Sequence, residues 1–223
     1  MKQYIRKLIQ FLMFYPVYYF IWFSIFGKDL LNSEYIGLII IIYYGISFFD
    51  IILRPIGDPN ELKDKYTIIV MLFFFLGPLI LILAFYENKF IISQYLSLYD
   101  NELIGYFGIL LMLIGGIILL TSRYQLNRYS YGGGSLSEEI EQKLITDGMY
   151  KYIRHPIYAG GIVMTIGLEL AFRSLIILSL HTILYFVIFK DRMNREEEVL
   201  LSKFGEHYRK YMNETKRMIP YFY

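Results

Sequence analysis

The 223-residue chain has no cysteine, which removes disulfide pairing and thiolate chemistry from consideration. It has three histidines, His155, His181 and His207, and their spacing matches no metal-ligand pattern, so no metal is expected. Charged residues make up only 19% of the chain and the net charge is +2. That balance is too small to indicate a nucleic-acid partner, and the basic residues fall where membrane topology wants them. Prolines number six. Pro16 and Pro78 lie within apolar runs, where they would kink a membrane helix without any functional message.

What the chain has in abundance is apolar length. It is 56% hydrophobic, with 23 tyrosines and 18 phenylalanines, and its mean hydropathy is +0.43. About 20 apolar residues cross a bilayer as a helix. Windows of that kind occur at roughly 8–26, 35–53, 66–86 and 103–120. A further apolar stretch, 157–189, is too long for one crossing and is interrupted by Glu169, Arg173 and Ser174. It reads as a tight helical hairpin, 157–171 and 174–189, with each arm short for a full crossing. Along the chain the Lys and Arg counts in successive polar segments run 3, 1, 3, 1, 5, 1 and 8. This alternation fits six crossings with both termini cytoplasmic. The first apolar run lacks a small-residue cleavage site and reads as a retained helix rather than a signal peptide. Tyrosines gather near the ends of the runs, where amphipathic rings favour the headgroup layer. The expectation is therefore an all-α, polytopic integral membrane protein, with the bilayer as its first partner.

Two regions differ in character. Residues 1–102 are membrane helices with short connections; the Asp50 and Arg54 pair closing the second run reads as an i,i+4 anchor. From 103 onward polar segments lengthen. The 121–150 segment contains Gly132, Gly133 and Gly134, which no Lys-Ser/Thr follows, so a flexible turn explains them better than a phosphate cradle. Residues 137–145 suggest a short helix capped by Ser137, and Asp147-Gly148 is a turn signal. Near the C-terminus, Leu200, Leu201, Phe204, Tyr208 and Tyr211 recur at helical spacing, opposite Lys203, Glu206, Arg209 and Lys210. That pattern is an amphipathic helix over 200–212, lying against the protein or the bilayer surface.

Two polar clusters sit where apolar runs meet water. In GMYKYIRHPIY (148–158), Arg154, His155 and Pro156 are flanked by Tyr150 and Tyr158. An arginine and a histidine at a bilayer boundary serve a ligand, a headgroup or a mechanism; a basic interfacial anchor is the plainer alternative. In the second cluster Arg192 and Glu196 share a helix face, as a surface salt bridge or as a grip on a zwitterionic ligand. Glu197 points along the apolar stripe, where an unpaired carboxylate is expensive.

The residues of both clusters resemble one family. Gly148, Tyr150, Arg154, His155, Pro156, Tyr158 and Gly160 resemble the signature of the isoprenylcysteine carboxyl methyltransferases, membrane-embedded enzymes that use S-adenosylmethionine. Glu196, Glu197, Leu200, Phe204, Gly205, Tyr208 and Tyr211, then Arg217 and Pro220, resemble that family's other motif. The match covers about 105–220, and residues 103–223 would be the methyltransferase core. The resemblance implies S-adenosylmethionine as cofactor, lined by Gln142, Lys143, Leu144 and Ile145 through backbone groups, then by Tyr150, His155, Pro156, Ile157 and Tyr158. It implies Glu196 on the cofactor and Arg192 on the acceptor, with Glu196, Glu197 and Arg192 as the catalytic set. Arg154 would orient the loop or meet headgroups. The N-terminal helices match no motif and would shape the acceptor side, so the acceptor is a prenylcysteine carboxylate or another lipophilic molecule. Location follows as the cell membrane in a prokaryote or the endoplasmic reticulum in a eukaryote.

Two other readings compete. Membrane sterol-type or enone reductases using NADPH share an Arg-His-Pro-x-Tyr element and an ending like RMIPYFY, but the Glu-Glu-x-x-Leu-x-x-x-Phe-Gly spacing fits the methyltransferases better. A non-catalytic scaffold or transporter would need polar groups at mid-bilayer depth, for which His181 and the Glu169–Arg173 pair are candidates; His181 reads better as a hydrogen-bonded packing residue.

Overall fold

A computed structural model describes Ser24 and residues 34–53, 76–77, 79–96, 100–129 and 143–219. The described residues are helical, without a β-sheet. We label the helices α1 (Glu34–Leu53), α2 (79–95, with a π-helical stretch Asn88–Ile92), α3 (Glu102–Tyr129), α4 (Pro156–Ala171), α5 (Ile176–Phe204) and α6 (Glu206–Glu214). The expected first crossing at 8–26 and much of the third lie outside the described residues. Within α3, Glu102–Leu126 is long and apolar enough to cross a membrane by length and composition; Tyr35–Asp50 and Pro156–Ala171 are shorter apolar helices.

The tightest contact is between α3 and α4, and glycine makes it. Gly108 and Gly115 on α3 face Gly167 and Gly160 on α4, seven residues apart on each helix. Seven residues are two turns, so each pair falls on one line down the helix and the backbones close together. A Cβ built on Gly160 would stand 2.6 Å from the Leu119 backbone nitrogen, closer than real contacts allow. Around this seam Ile36, Ile39, Leu81, Ile82, Met112, Met164, Leu168 and Phe172 form a buried core. The outward face of α5 is different: Leu180, Ile183 and Val187 are each about 60% exposed, as lipid-facing side chains are.

The hairpin forms where 169–174 interrupts the apolar run. Arg173 takes a left-handed backbone (φ 55°) and its guanidinium pairs with Asp100 at 2.9 Å. Glu169 and His181 join the two arms, Oε1 to Nδ1 at 2.9 Å, which is the packing role expected of His181. The second arm departs from expectation. Instead of a short helix ending at 189, α5 runs unbroken through Arg192–Glu197 to Phe204. The residues from Lys190 onward are polar but good helix formers, so apolarity ends at the interface while the helix does not.

The amphipathic stripe at 200–212 is likewise broken in two. Gly205 has φ 53°, a conformation that glycine adopts cheaply, and there α5 ends and α6 turns away. Tyr208 and Tyr211 on α6 are buried against the protein, while Arg209 and Lys210 are exposed. The short helix expected over 137–145 is not found at its described end: residues 143–146 have no regular structure. The glycine run at 132–134 and Arg54 lie outside the described residues.

Candidate active site

The first polar cluster is seated by α3. Gly148 opens a 3-10 turn (Gly148–Lys151) with φ 59°, and a side chain there would collide with Gln125. The Met149 N–H donates to Gln125 Oε1 at 3.2 Å, and the Tyr150 hydroxyl donates to the Ser122 carbonyl at 3.5 Å. From the other side Tyr211 donates its hydroxyl to the Tyr150 carbonyl at 2.6 Å. Burial holds the Tyr150 phenol well above its ordinary value despite the nearby Arg123 charge, so it is neutral and donates.

The C-terminal segment then runs beside the motif. Ile153 and Lys216 form a parallel bridge. The Arg154 N–H donates to the Lys216 carbonyl at 2.7 Å, and the His155 N–H to the Arg217 carbonyl at 2.9 Å. Both N–H groups lie just ahead of Pro156, the first residue of α4, where no helical partner exists for them.

Glu197 is the hub that joins these pieces to α5. Its Oε1 accepts from Arg154 Nε at 2.8 Å and His155 Nε2 at 3.2 Å; its Oε2 accepts from the Arg217 guanidinium at 2.5 and 3.1 Å. Arg154 also donates to the Met212 and Thr215 carbonyls, and Arg217 to Asn194 Oδ1 at 2.8 Å. Burial alone would raise the Glu197 pKa. The donors His155, Arg154 and Arg217 outweigh it and bring the carboxyl down to about 2. The expected expensive carboxylate is therefore fully paired. Arg154 orients the loop, as one of its two expected roles had it; its side chain is only 9% exposed, which leaves no room for a headgroup.

Glu196, next along α5, faces the other way into a more open setting. Its Oε1 accepts from the Tyr158 hydroxyl at 2.5 Å and from Arg192 Nε at 3.2 Å; its Oε2 lies 3.6 Å from His155 Nδ1. The Glu196 and Arg192 side chains are 39% and 37% exposed, against 4% for Glu197. His155 thus stands between the two carboxylates, one buried and structural, one accessible. Tyr158 continues into an aromatic wall, with ring centroids 4.9 Å from Phe189, which is 4.2 Å from Tyr185.

The structure brings together His155, Tyr158, Arg192, Glu196 and Glu197, from two stretches about 40 residues apart. Tyr150 and Pro156 are buried beside them, and Ile157 is half-buried. Lys143 is exposed, Leu144 half-buried and Ile145 buried, while Gln142 lies outside the described residues. Three participants escaped the sequence reading as site residues: Arg217, Asn194 and Gln125. Arg217 was legible only as part of a motif, and the other two had no local signal at all.

Comparisons with known proteins find relatives over the same part of the chain. A family model described as phospholipid methyltransferase matches residues 103–207. The Schizosaccharomyces pombe protein-S-isoprenylcysteine O-methyltransferase is 26% identical over 138 residues, 59% of this chain and 54% of that protein. A probable protein-S-isoprenylcysteine O-methyltransferase of Oryza sativa subsp. indica is 25% identical over 168 residues, 75% of this chain and 83% of that protein. The chain thus spans about half the length of the fission yeast relative. The solved structure of a eukaryotic intramembrane Ras methyltransferase, isoprenylcysteine carboxyl methyltransferase, superposes with a TM-score of 0.58 at 18% identity, covering 97% of this chain and 86% of that one. The chain shares its helical fold with that protein. By sequence, the chain is similar to the isoprenylcysteine O-methyltransferases over more than half of its length.

Proposed function

We propose that this protein is an integral membrane methyltransferase that moves a methyl group from S-adenosylmethionine to a lipophilic acceptor bearing a carboxylate or similar anion. The observation that carries the reading is the Tyr158–Glu196–Arg192 constellation beside His155, at the boundary between the apolar hairpin and its polar extension. Six crossings with both termini cytoplasmic, and a pocket open to the cytosol, complete the reading.

The residues fit such a cofactor. Among the described residues Glu196 Oε2 has only the loose His155 contact at 3.6 Å, and it is accessible, so it retains capacity for an ammonium or ribose hydroxyl. When bound, the cofactor supplies an already activated methyl on a sulfonium, so neither metal nor protein nucleophile is required. Methylation of a carboxylate needs alignment and dryness rather than a general base. Arg192, fixed at its Nε by Glu196, has its terminal amino groups to hold the acceptor's anion. Tyr158, Phe189 and Tyr185 supply an apolar wall for its lipid portion. Charge bookkeeping favours an anion: Arg154, Arg192 and Arg217 face two carboxylates, Glu196 and Glu197. The His155 ring is held by its Nε2 against Glu197 at 3.2 Å, which turns Nδ1 toward Glu196.

Calorimetry on the detergent-solubilised protein tests the reading. S-adenosylhomocysteine should bind and NADPH should not. NADPH binding would point to the reductase chemistry instead, and binding of neither would leave a non-catalytic role. Transfer of labelled methyl to N-acetyl-S-farnesylcysteine then tests the acceptor class.

A further inference from the structure

A fourth guanidinium borders the site, held by the N-terminal half of the chain. Arg123 lies on α3 between Ser122, whose carbonyl receives the Tyr150 hydroxyl, and Gln125, whose side chain holds the Met149 N–H. Its Nε donates to Asp50 Oδ1, on α1, at 2.8 Å. The two side chains are only 16% and 7% exposed. Removing a carboxylate and a guanidinium from water is costly, and an interhelical anchor does not need charge to do its work. Among the described residues the terminal amino groups of Arg123 have no hydrogen-bond partner. Its charge acts on the phenols of both Tyr150 and Tyr158, and the Tyr158 hydroxyl is the one that binds Glu196. Arg123 therefore stands on the α1 side of the site, between the two α3 residues that seat the Tyr150 turn.

We propose that Asp50 is a positioning residue: it fixes Arg123 at the mouth of the site, so that the acceptor's anionic group meets Arg123 as well as Arg192. The N-terminal helices then do more than surround the acceptor's tail. They set, through one carboxylate, the recognition of its head. A guanidinium tied at Nε presents its two amino groups in a fixed fork, the geometry that carboxylates and phosphates accept bidentately. This inference rests on the proposed methyltransferase function.

The experiment uses the full chain in detergent, with N-acetyl-S-farnesylcysteine as acceptor and its primary amide as an uncharged competitor. Asp50→Asn should raise KM for the carboxylate about tenfold and leave kcat within about twofold. The affinities for the amide and for S-adenosylhomocysteine should not move. Asp50→Glu should restore most of the lost KM, and Arg123→Lys should behave as Asp50→Asn does, because an ammonium lacks the fork. A purely structural pair would show otherwise: cofactor affinity, amide affinity and turnover would fall together, and that result overturns the proposal. So does an unchanged KM in Asp50→Asn. If wild-type protein binds S-adenosylhomocysteine yet leaves the carboxylate unmethylated, the acceptor reading and this inference fall together. Normal wild-type turnover with an unmoved Asp50→Asn sinks the inference alone.

Discussion

Helix α5 is held near each end by a buried glutamate, and the two are solved by different chemistry. At its start Glu87 of α2 accepts from the Ser174 hydroxyl and from the backbone N–H groups of Leu175, Ile176 and Ile177, at 2.5 to 2.9 Å. All four donors are neutral. Near its other end Glu197 is satisfied by two guanidiniums and an imidazole. Glu87 does what any capping carboxylate does, meeting the orphan N–H groups and the positive end of the dipole. Glu197 instead ties side chains from two separate segments, α4's leading loop and the C-terminal segment, to α5. The first end stabilises one helix; the second assembles a site, and only there do cations outnumber carboxylates.

The comparison predicts a ranked set of outcomes. Glu197→Gln should be the most damaging, about 3–5 kcal/mol in chemical denaturation, because it strands Arg154 and Arg217 without a buried counter-charge. A loss within experimental error would show that the hub is dispensable. Gly160→Ala should come next, at about 1–3 kcal/mol, since the new methyl meets the Leu119 backbone rather than a side chain that can swing away. Glu87→Gln should cost about 1–3 kcal/mol and leave S-adenosylhomocysteine affinity unchanged, separating the two ends of α5 by function. A fall in cofactor affinity with Glu87→Gln would erase that distinction.

Smaller effects sharpen the site itself. Glu196→Ala should weaken S-adenosylhomocysteine binding, about tenfold, whereas Arg192→Ala should mainly reduce turnover. Wild-type behaviour of both would remove the site assignment. Acid should separate the glutamates as well. The folded Glu197 carboxyl titrates at about 2, below its ordinary value of 4.5. Its contribution is complete above the ordinary value and fades as pH falls from about 4.5 toward 2. A melting curve across that range should lose this slope in Glu197→Gln.

Much of the membrane-facing fold was legible because apolar length is local. The window 35–53 matches α1, the window 103–120 falls inside α3, and the first hairpin arm 157–171 matches α4 within a residue. Boundaries failed where hydropathy and helicity part company. Leu200 to Tyr211 looked like one stripe because periodicity does not register a single glycine in the left-handed region. The candidate site was half legible. Both polar clusters could be seen, and His155 does meet Glu196, but the division of labour between adjacent Glu196 and Glu197 depends on which way each side chain faces. Asp50 showed the same limit. Its expected partner Arg54 lies outside the described residues, and the bond to Arg123, 73 residues on, had no local signal. Pairings of that length leave no periodic trace.

The glycine seam has a consequence for traffic from the bilayer. With backbone against backbone at Gly108–Gly167 and Gly115–Gly160, α3 and α4 leave no groove wide enough for a hydrocarbon chain. On the proposed function, a lipid approaching the site must therefore come around another face of α4, and any helix displaced to admit it is a different neighbour. The glycine-joined pair α3 and α4 acts as a fixed wall, and on that reading the doorway has to be elsewhere.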